Sequence, residues 1–167
     1  YHAAQGRAFS ERAPVVLEFG HYGTIKGWGN WNVEKLLESV SVHRASYLSI
    51  HGDPRQIFDE NTALVEKLAR MIGYRFVARE VVYPSVIVAA SDPSNAVPFT
   101  VRFAFVNGGV APCYQDAFPC LTLKTAEGGI IAVLADCGFN LKTLEPAAES
   151  ERAVTKAHEA SFVLVQA

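Results

Sequence analysis

The sequence predicts an α+β chain: a short parallel βαβα segment followed by an antiparallel, immunoglobulin-like β-sandwich. Three observations carry that expectation. Two short apolar runs near the N-terminus are each followed by a stretch whose apolar residues recur at helical spacing. Beyond Gly73 the pattern switches to alternation with a period of two, broken by turns rich in glycine, proline and asparagine. Half of the 167 residues are hydrophobic, enough to build a core in one ordinary domain or two small ones. The boundary falls between Gly73 and Arg79, so that residues 1–73 form the βαβα segment and 74–167 the sandwich.

The first element is the run Pro14-Val15-Val16-Leu17-Glu18-Phe19-Gly20, nearly continuous in apolar residues like a strand covered on both faces, and carrying a carboxylate near its end. A glycine- and tryptophan-rich loop follows from Gly20 to Trp31. Asn30 or Asn32 then offers an N-cap to a helix with Val33, Leu36, Leu37 and Val40 at i, i+3, i+4 and i+7. A second strand, Ala45 to Ile50, runs into His51-Gly52-Asp53-Pro54. A second helix is expected roughly from Asp59 to Ile72, with Val65, Leu68, Ala69 and Ile72 on one face and Gly73 as its stop. Strand–helix units of this length imply parallel strands joined by right-handed crossovers.

In the second half, Tyr74 to Ala90 is strand-like with a break at Pro84, and Asp92-Pro93-Ser94-Asn95 is a turn. Phe99, Val101, Phe103 and Phe105 then share one face of a strand, with Thr100 and Arg102 opposite. Asn107-Gly108-Gly109 ends it. Further strands are expected at Phe118 to Lys124, Gly129 to Ala135 and Glu159 to Gln166, with Glu127-Gly128-Gly129 as a hairpin turn. Five or six strands separated by turns suit a sandwich of immunoglobulin type.

Composition removes several function classes. The formal net charge is −2 and no basic patch or stripe is present, which argues against nucleic acid and anionic membrane as partners. No apolar run approaches the roughly 20 residues that span a bilayer. Cys113, Cys120 and Cys137 show no CxxC pairing and no histidine at ligand spacing, so no zinc site is expected. Cys113 and Cys120 flank Tyr114 to Pro119, leaving open a disulfide across that loop or two thiols. No phosphate-binding glycine motif is present, and neither a metal nor another cofactor is expected. The chain opens on Tyr1, its one methionine is Met71, and its first clear element is a buried-looking strand. It therefore reads as part of something longer, whose open edges are covered by a preceding region or by a second copy.

Residues suited to chemistry gather in the two loops after the α/β strands, where parallel α/β folds bind ligands. Glu18 sits at one strand end, with His21, Tyr22, Trp28 and Trp31 in the loop behind it; His51 and Asp53 end the next strand. A carboxylate ringed by aromatic residues suits a sugar. Aromatic faces stack on the apolar face of a pyranose, while carboxylates and imidazoles bind its hydroxyls or attack its anomeric carbon. Plain structural roles stand beside this: Glu18 bonded to amides of the glycine-rich loop, Trp28 and Trp31 packed on the core, and His51-Gly52-Asp53-Pro54 as a turn.

Residues 14–73 resemble the last strands and helices of a glycosidase-type (β/α)8 barrel. The segments Gly73-Tyr74-Arg75-Phe76 and Asn107-Gly108-Gly109-Val110-Ala111-Pro112-Cys113-Tyr114 resemble the β-sandwich of a bacterial family in which such a barrel-like region precedes it. The resemblance covers residues 14 to about 135. It implies that Glu18 is the nucleophile of a retaining glycoside hydrolase in the intact parent, that carbohydrate is the partner, and that the protein is secreted or periplasmic. The strand that supplies the acid/base carboxylate in such barrels has no counterpart here, and a retaining mechanism needs two carboxyl groups about 5 Å apart. The isolated chain is therefore expected to be inactive, with His21, Tyr22, Trp28, Trp31, His51 and Asp53 as substrate-binding residues. The alternatives are a non-catalytic glycan-binding or scaffolding module, in which Asn107 to Tyr114 is a structural loop packing the sandwich against the α/β layer, and an unrelated small α+β protein.

Overall fold

The computed structural model describes residues 7–147 and 153–165. The fold is mixed α+β and divides into two compact units. The first comprises the chain up to Val77, Val106–Tyr114 and a stretch beginning at Leu144; the second comprises Ala78–Phe105, Gln115–Thr143 and the chain from Thr155. No helix among the described residues is long and apolar enough to cross a membrane.

In the first unit, β1 (Val16–Phe19) and β2 (Tyr47–Ile50) pair in parallel, with Val16 opposite Tyr47 and Phe19 opposite Ile50. Leu17, Phe19, Leu48 and Ile50 turn one face of this pair onto a core of Leu36, Val40, Ala45, Leu64, Leu68, Met71 and Val110. Coverage on both faces, expected from the apolar run, is not observed: Val16 is 64 % exposed, Tyr47 is 62 % exposed, and Glu18 lies on their side. The strand alternates because helices cover only one side of it.

The loop after β1 contains a short helix, α1 (Tyr22–Gly27), six residues with two glycines and too short to show a helical period. Next comes α2 (Val33–Val42), capped by Asn32, whose side chain accepts from the Lys35 amide at 2.8 Å; Leu36 and Val40 are its buried positions. The following helix, α3 (Pro54–Met71), begins five residues before the expected Asp59. Asp53 is its N-cap and Pro54 its first residue, a start signal hidden inside what reads equally well as a turn. It is interrupted at Asn61, whose backbone leaves helical geometry (φ −138°, ψ 36°). Its buried face is Ile57, Leu64, Leu68 and Met71, whereas Val65 and Ile72 are half-buried and Ala69 exposed. Gly73 ends the helix region at φ +75°, as expected of a left-handed stop.

Val106–Tyr114 completes this unit. The Gly108, Val110 and Ala111 amides donate to the Arg75, Met71 and Gly73 carbonyls at 2.8, 2.9 and 3.0 Å. Val110 enters the core. Gly109 is obligatory, because a Cβ there would collide with the Gly73 carbonyl oxygen and lie 3.0 Å from the Arg75 nitrogen. The segment expected to pack the sandwich against the α/β layer is itself part of the α/β unit.

The second unit holds most of β3 (Phe76–Val82), of β4 (Phe99–Asn107) and all of β7 (Lys156–Phe162), in the order β3-β4-β7. β4 and β7 are antiparallel, from Phe99 opposite Phe162 to Phe105 opposite Lys156. β5 (Cys120–Lys124) and β6 (Ile130–Ala135) form a separate antiparallel hairpin near the expected positions, its turn passing through Gly128 at φ +91°. Strand structure in the stretch from Tyr74 to Ala90 is confined to β3, apart from an isolated bridge between Ala90 and Val165. The last strand starts three residues before Glu159 and ends at Phe162; the expected end at Gln166 lies outside the described residues. Cys120 and Cys137 are exposed free thiols, so no Cys113–Cys120 bridge forms; Cys113 is buried.

The period of two along β4 is realised as expected. Phe99, Val101 and Phe103 are buried and Phe105 half-buried, while Thr100 and Arg102 are exposed. Phe103 contacts the rings of Phe105, Phe139 and His158 at centroid distances of 5.6, 6.1 and 5.8 Å. Phe103→Ala is expected to cost about 3–5 kcal/mol in chemical denaturation; a loss under about 1 kcal/mol would contradict this assignment of the core face. Gly109→Ala is expected to cost about 3 kcal/mol or more, since backbone rather than a flexible side chain blocks the new methyl. A near-neutral result would mean that the segment docks differently.

Candidate functional site

The parallel ladder continues past the two strand ends and joins the loops that follow. The His51 amide donates to the Phe19 carbonyl at 3.4 Å, and the Tyr22 amide donates to the His51 carbonyl at 2.6 Å. Gly52, at φ +131°, lets the second loop lie against the first: a Cβ there would come within 3.3 Å of Tyr22 Cβ and 3.7 Å of His21 Cε1. The chain thus brings His21 beside the His51–Gly52 turn.

Glu18 and His51 meet at this edge. His51 Nε2–H donates to Glu18 Oε1 at 2.6 Å, and both side chains are largely exposed, His51 by 54 % and Glu18 by 73 %. Glu18 is therefore not buried against loop amides. A carboxylate holding Nε2 fixes the imidazole's orientation and leaves Nδ1 to exchange protons or bind a hydroxyl. The second carboxylate oxygen adds an acceptor. Such a pair can bind vicinal hydroxyls or assist a proton transfer.

The remaining candidates have other surroundings. Asp53 accepts from the Arg55 amide at 2.9 Å as the cap of α3. Tyr22 is 1 % exposed, and Trp31 is half-buried, packed edge-to-face on Tyr22 at 4.6 Å and on Phe19 at 5.8 Å. Trp28, which follows α1, is 73 % exposed and is the candidate ring open to a ligand. No group of three or more His, Cys, Asp or Glu side chains among the described residues converges to hold a metal.

Behind this edge lies a polar network that sequence reading missed. Tyr22 Oη–H donates to Glu60 Oε2 at 2.6 Å, and Lys26 Nζ–H donates to the same oxygen at 2.5 Å. Asn61 Nδ2–H donates to Tyr22 Oη at 2.8 Å and to the Ile57 carbonyl at 3.2 Å, while Asn61 Oδ1 accepts from Trp31 Nε1–H at 3.3 Å. An asparagine in mid-helix is the one visible signal, since its amide competes for backbone partners. Its side-chain partners, Trp31 and Tyr22, are 30 and 39 residues away, beyond any local pattern.

A second carboxylate–imidazole pair sits in the other unit. His158 Nε2 lies 3.0 Å from Asp136 Oδ2, close enough for charge pairing but not aligned as a hydrogen bond. The imidazole stacks flat on Phe139 at 5.1 Å, an arrangement that clamps the β6 turn rather than presenting a reactive edge.

Lys26, then Tyr22 and Gln56, hold the Glu60 carboxyl down to about 2, from an ordinary 4.5. The folded-state value is the lower, so the stabilisation is complete above about pH 4.5 and is lost as pH falls toward 2. Acid titration of stability is expected to be steeper in this window for the native chain than for Glu60→Gln. Parallel curves would show that the carboxylate makes no net contribution.

No protein-family model, no curated protein and no solved structure matches this chain.

Proposed function

We propose that this chain is the C-terminal part of a carbohydrate-active, glycoside-hydrolase-like protein and that it binds sugar at the carboxyl ends of β1 and β2. The observation that carries the reading is the exposed Glu18–His51 pair at the ends of parallel strands, the place where such folds bind ligands. Glu18 is the nucleophile of the intact parent, His51 and His21 bind hydroxyls, and Trp28 is the stacking ring. On this reading β1 to α3 is the closing segment of a barrel, and β3 to β7 form an immunoglobulin-like sandwich. The bare face bearing Val16 and Tyr47 is covered by a second copy or by further chain, because parallel sheets are ordinarily covered on both faces.

A second reading, a non-catalytic glycan-binding or scaffolding module, is favoured by the other carboxylate of these loops: Asp53 caps a helix and so is engaged elsewhere. The two readings share the ligand and differ in turnover by the parent.

The isolated chain is expected to show no detectable glycosidase turnover, even on activated aryl glycosides that need little acid assistance, because a single carboxylate cannot complete the retaining cycle. Weak sugar binding, measured by calorimetry, is expected to remain and to fall in Trp28→Ala. Robust turnover abolished by Glu18→Gln would reveal a complete site and contradict the proposal. Binding indifferent to Trp28 and Glu18 alike would remove the ligand from this edge.

A further inference from the structure

Tyr22 touches both sides of the strand-end site through its backbone and is anchored through its side chain somewhere else. Its amide donates to the His51 carbonyl, its Cβ faces Gly52, and His21 precedes it as the N-cap of α1. Its phenol is held by two residues of α3: Glu60 accepts its hydrogen and Asn61 donates to its oxygen. The grip exists because α3 breaks at Asn61, where the side chain takes the carbonyl four residues back and reaches both Tyr22 and Trp31. Substituting a ring of similar shape without the hydroxyl keeps the packing against Trp31 and removes only this grip.

We propose that Glu60 and Asn61 are positioning residues of the Glu18–His51 site, acting through Tyr22 to fix the two strand-end loops in the register that brings His21 and His51 together. This rests on the carbohydrate-site reading for the identity of the ligand, but not for the positioning itself. The lock is asymmetric. Tyr22 is buried and its phenolic hydrogen bonds are part-buried, so their loss is felt; the Lys26–Glu60 contact, although the largest cause of the lowered Glu60 pKa, is solvent-exposed, half the lysine side chain facing water, and is screened accordingly. Glutamine at position 60 still accepts the Tyr22 hydrogen, whereas alanine does not.

The test uses the full chain and three variants, Tyr22→Phe, Glu60→Gln and Glu60→Ala. Two readouts are followed, amide hydrogen exchange and the imidazole nitrogen resonances of His21 and His51. In Tyr22→Phe and Glu60→Ala, the amides of residue 22 and His51, which donate to the His51 and Phe19 carbonyls, are expected to exchange about tenfold faster or more, while amides of β4 are unchanged, as befits a local opening. The His51 resonances are expected to move in both variants, and Glu60→Gln to retain most of the native pattern. Uniform acceleration across the first unit, with unmoved imidazole signals, would make the network merely structural and overturn the proposal, as would unchanged exchange at Tyr22. If the native chain binds no saccharide from a panel of mono- and oligosaccharides, the ligand reading fails; the exchange result still decides the positioning.

Discussion

Asn107 is completely buried, and every polar atom of its side chain is engaged. Its Oδ1 accepts from the Arg75 and Gly109 amides at 2.9 and 3.1 Å, and its Nδ2–H donates to the Ala111 carbonyl at 2.9 Å. A buried amide with these bonds missing would cost more than the bonds contribute when made, so the turn is specified almost uniquely. That turn drives Val110 into the core beside Leu36, Leu64, Leu68 and Met71 and satisfies the Met71 carbonyl at the end of α3. Two parallel strands alone cover little of α2 and α3, and Val110 fills part of the remaining gap. With its C-terminal end held in this way, α3 is a fixed frame from which Glu60 and Asn61 hold Tyr22, and Tyr22 in turn holds the strand-end loops.

The legible parts of the fold are those written in local periodicity or in a single residue's backbone preference. Leu36 and Val40 on α2, an asparagine cap at Asn30 or Asn32, of which Asn32 takes the role, Gly73 as a stop, the alternation of Phe99, Val101 and Phe103, and the β5–β6 hairpin all belong to this kind. The misses have physical causes as well. The apolar composition of β1 mimics a strand buried on both faces, but composition does not say how many layers exist to bury it. The Asp53-Pro54 start of α3 doubles as a turn signal, and only the tertiary contacts of Ile57 decide for helix. Tyr83 to Ala89 has strand composition yet pairs with no strand, since β propensity without a partner does not make a ladder.

For the candidate site, the strand-end position of Glu18 and His51 was readable, their direct contact was not, and the fates of the aromatic residues divided. Trp28 and Trp31 are three residues apart, yet one is open to solvent and the other packs on Phe19 and Tyr22. The difference arises from α1, a helix too short to show a period, which ends just before Trp28 and turns the chain so that only Trp31 reaches Asn61. What remains at the edge is an oriented carboxylate–imidazole pair with one exposed indole in the same loop system, an arrangement suited to binding a polyhydroxylated ligand.

The claim that this edge is the ligand site is tested most directly by titrating the isotopically labelled full chain with mono- and oligosaccharides and following backbone amide and indole resonances. The account predicts saturable shifts concentrated at Glu18 to Tyr22, His51 to Asp53 and the Trp28 indole, with β4 and β7 silent. Shifts centred instead on the apolar groove lined by Val82, Tyr83, Val97 and Phe99 in the second unit, or no shifts with any sugar at millimolar concentration, would contradict it.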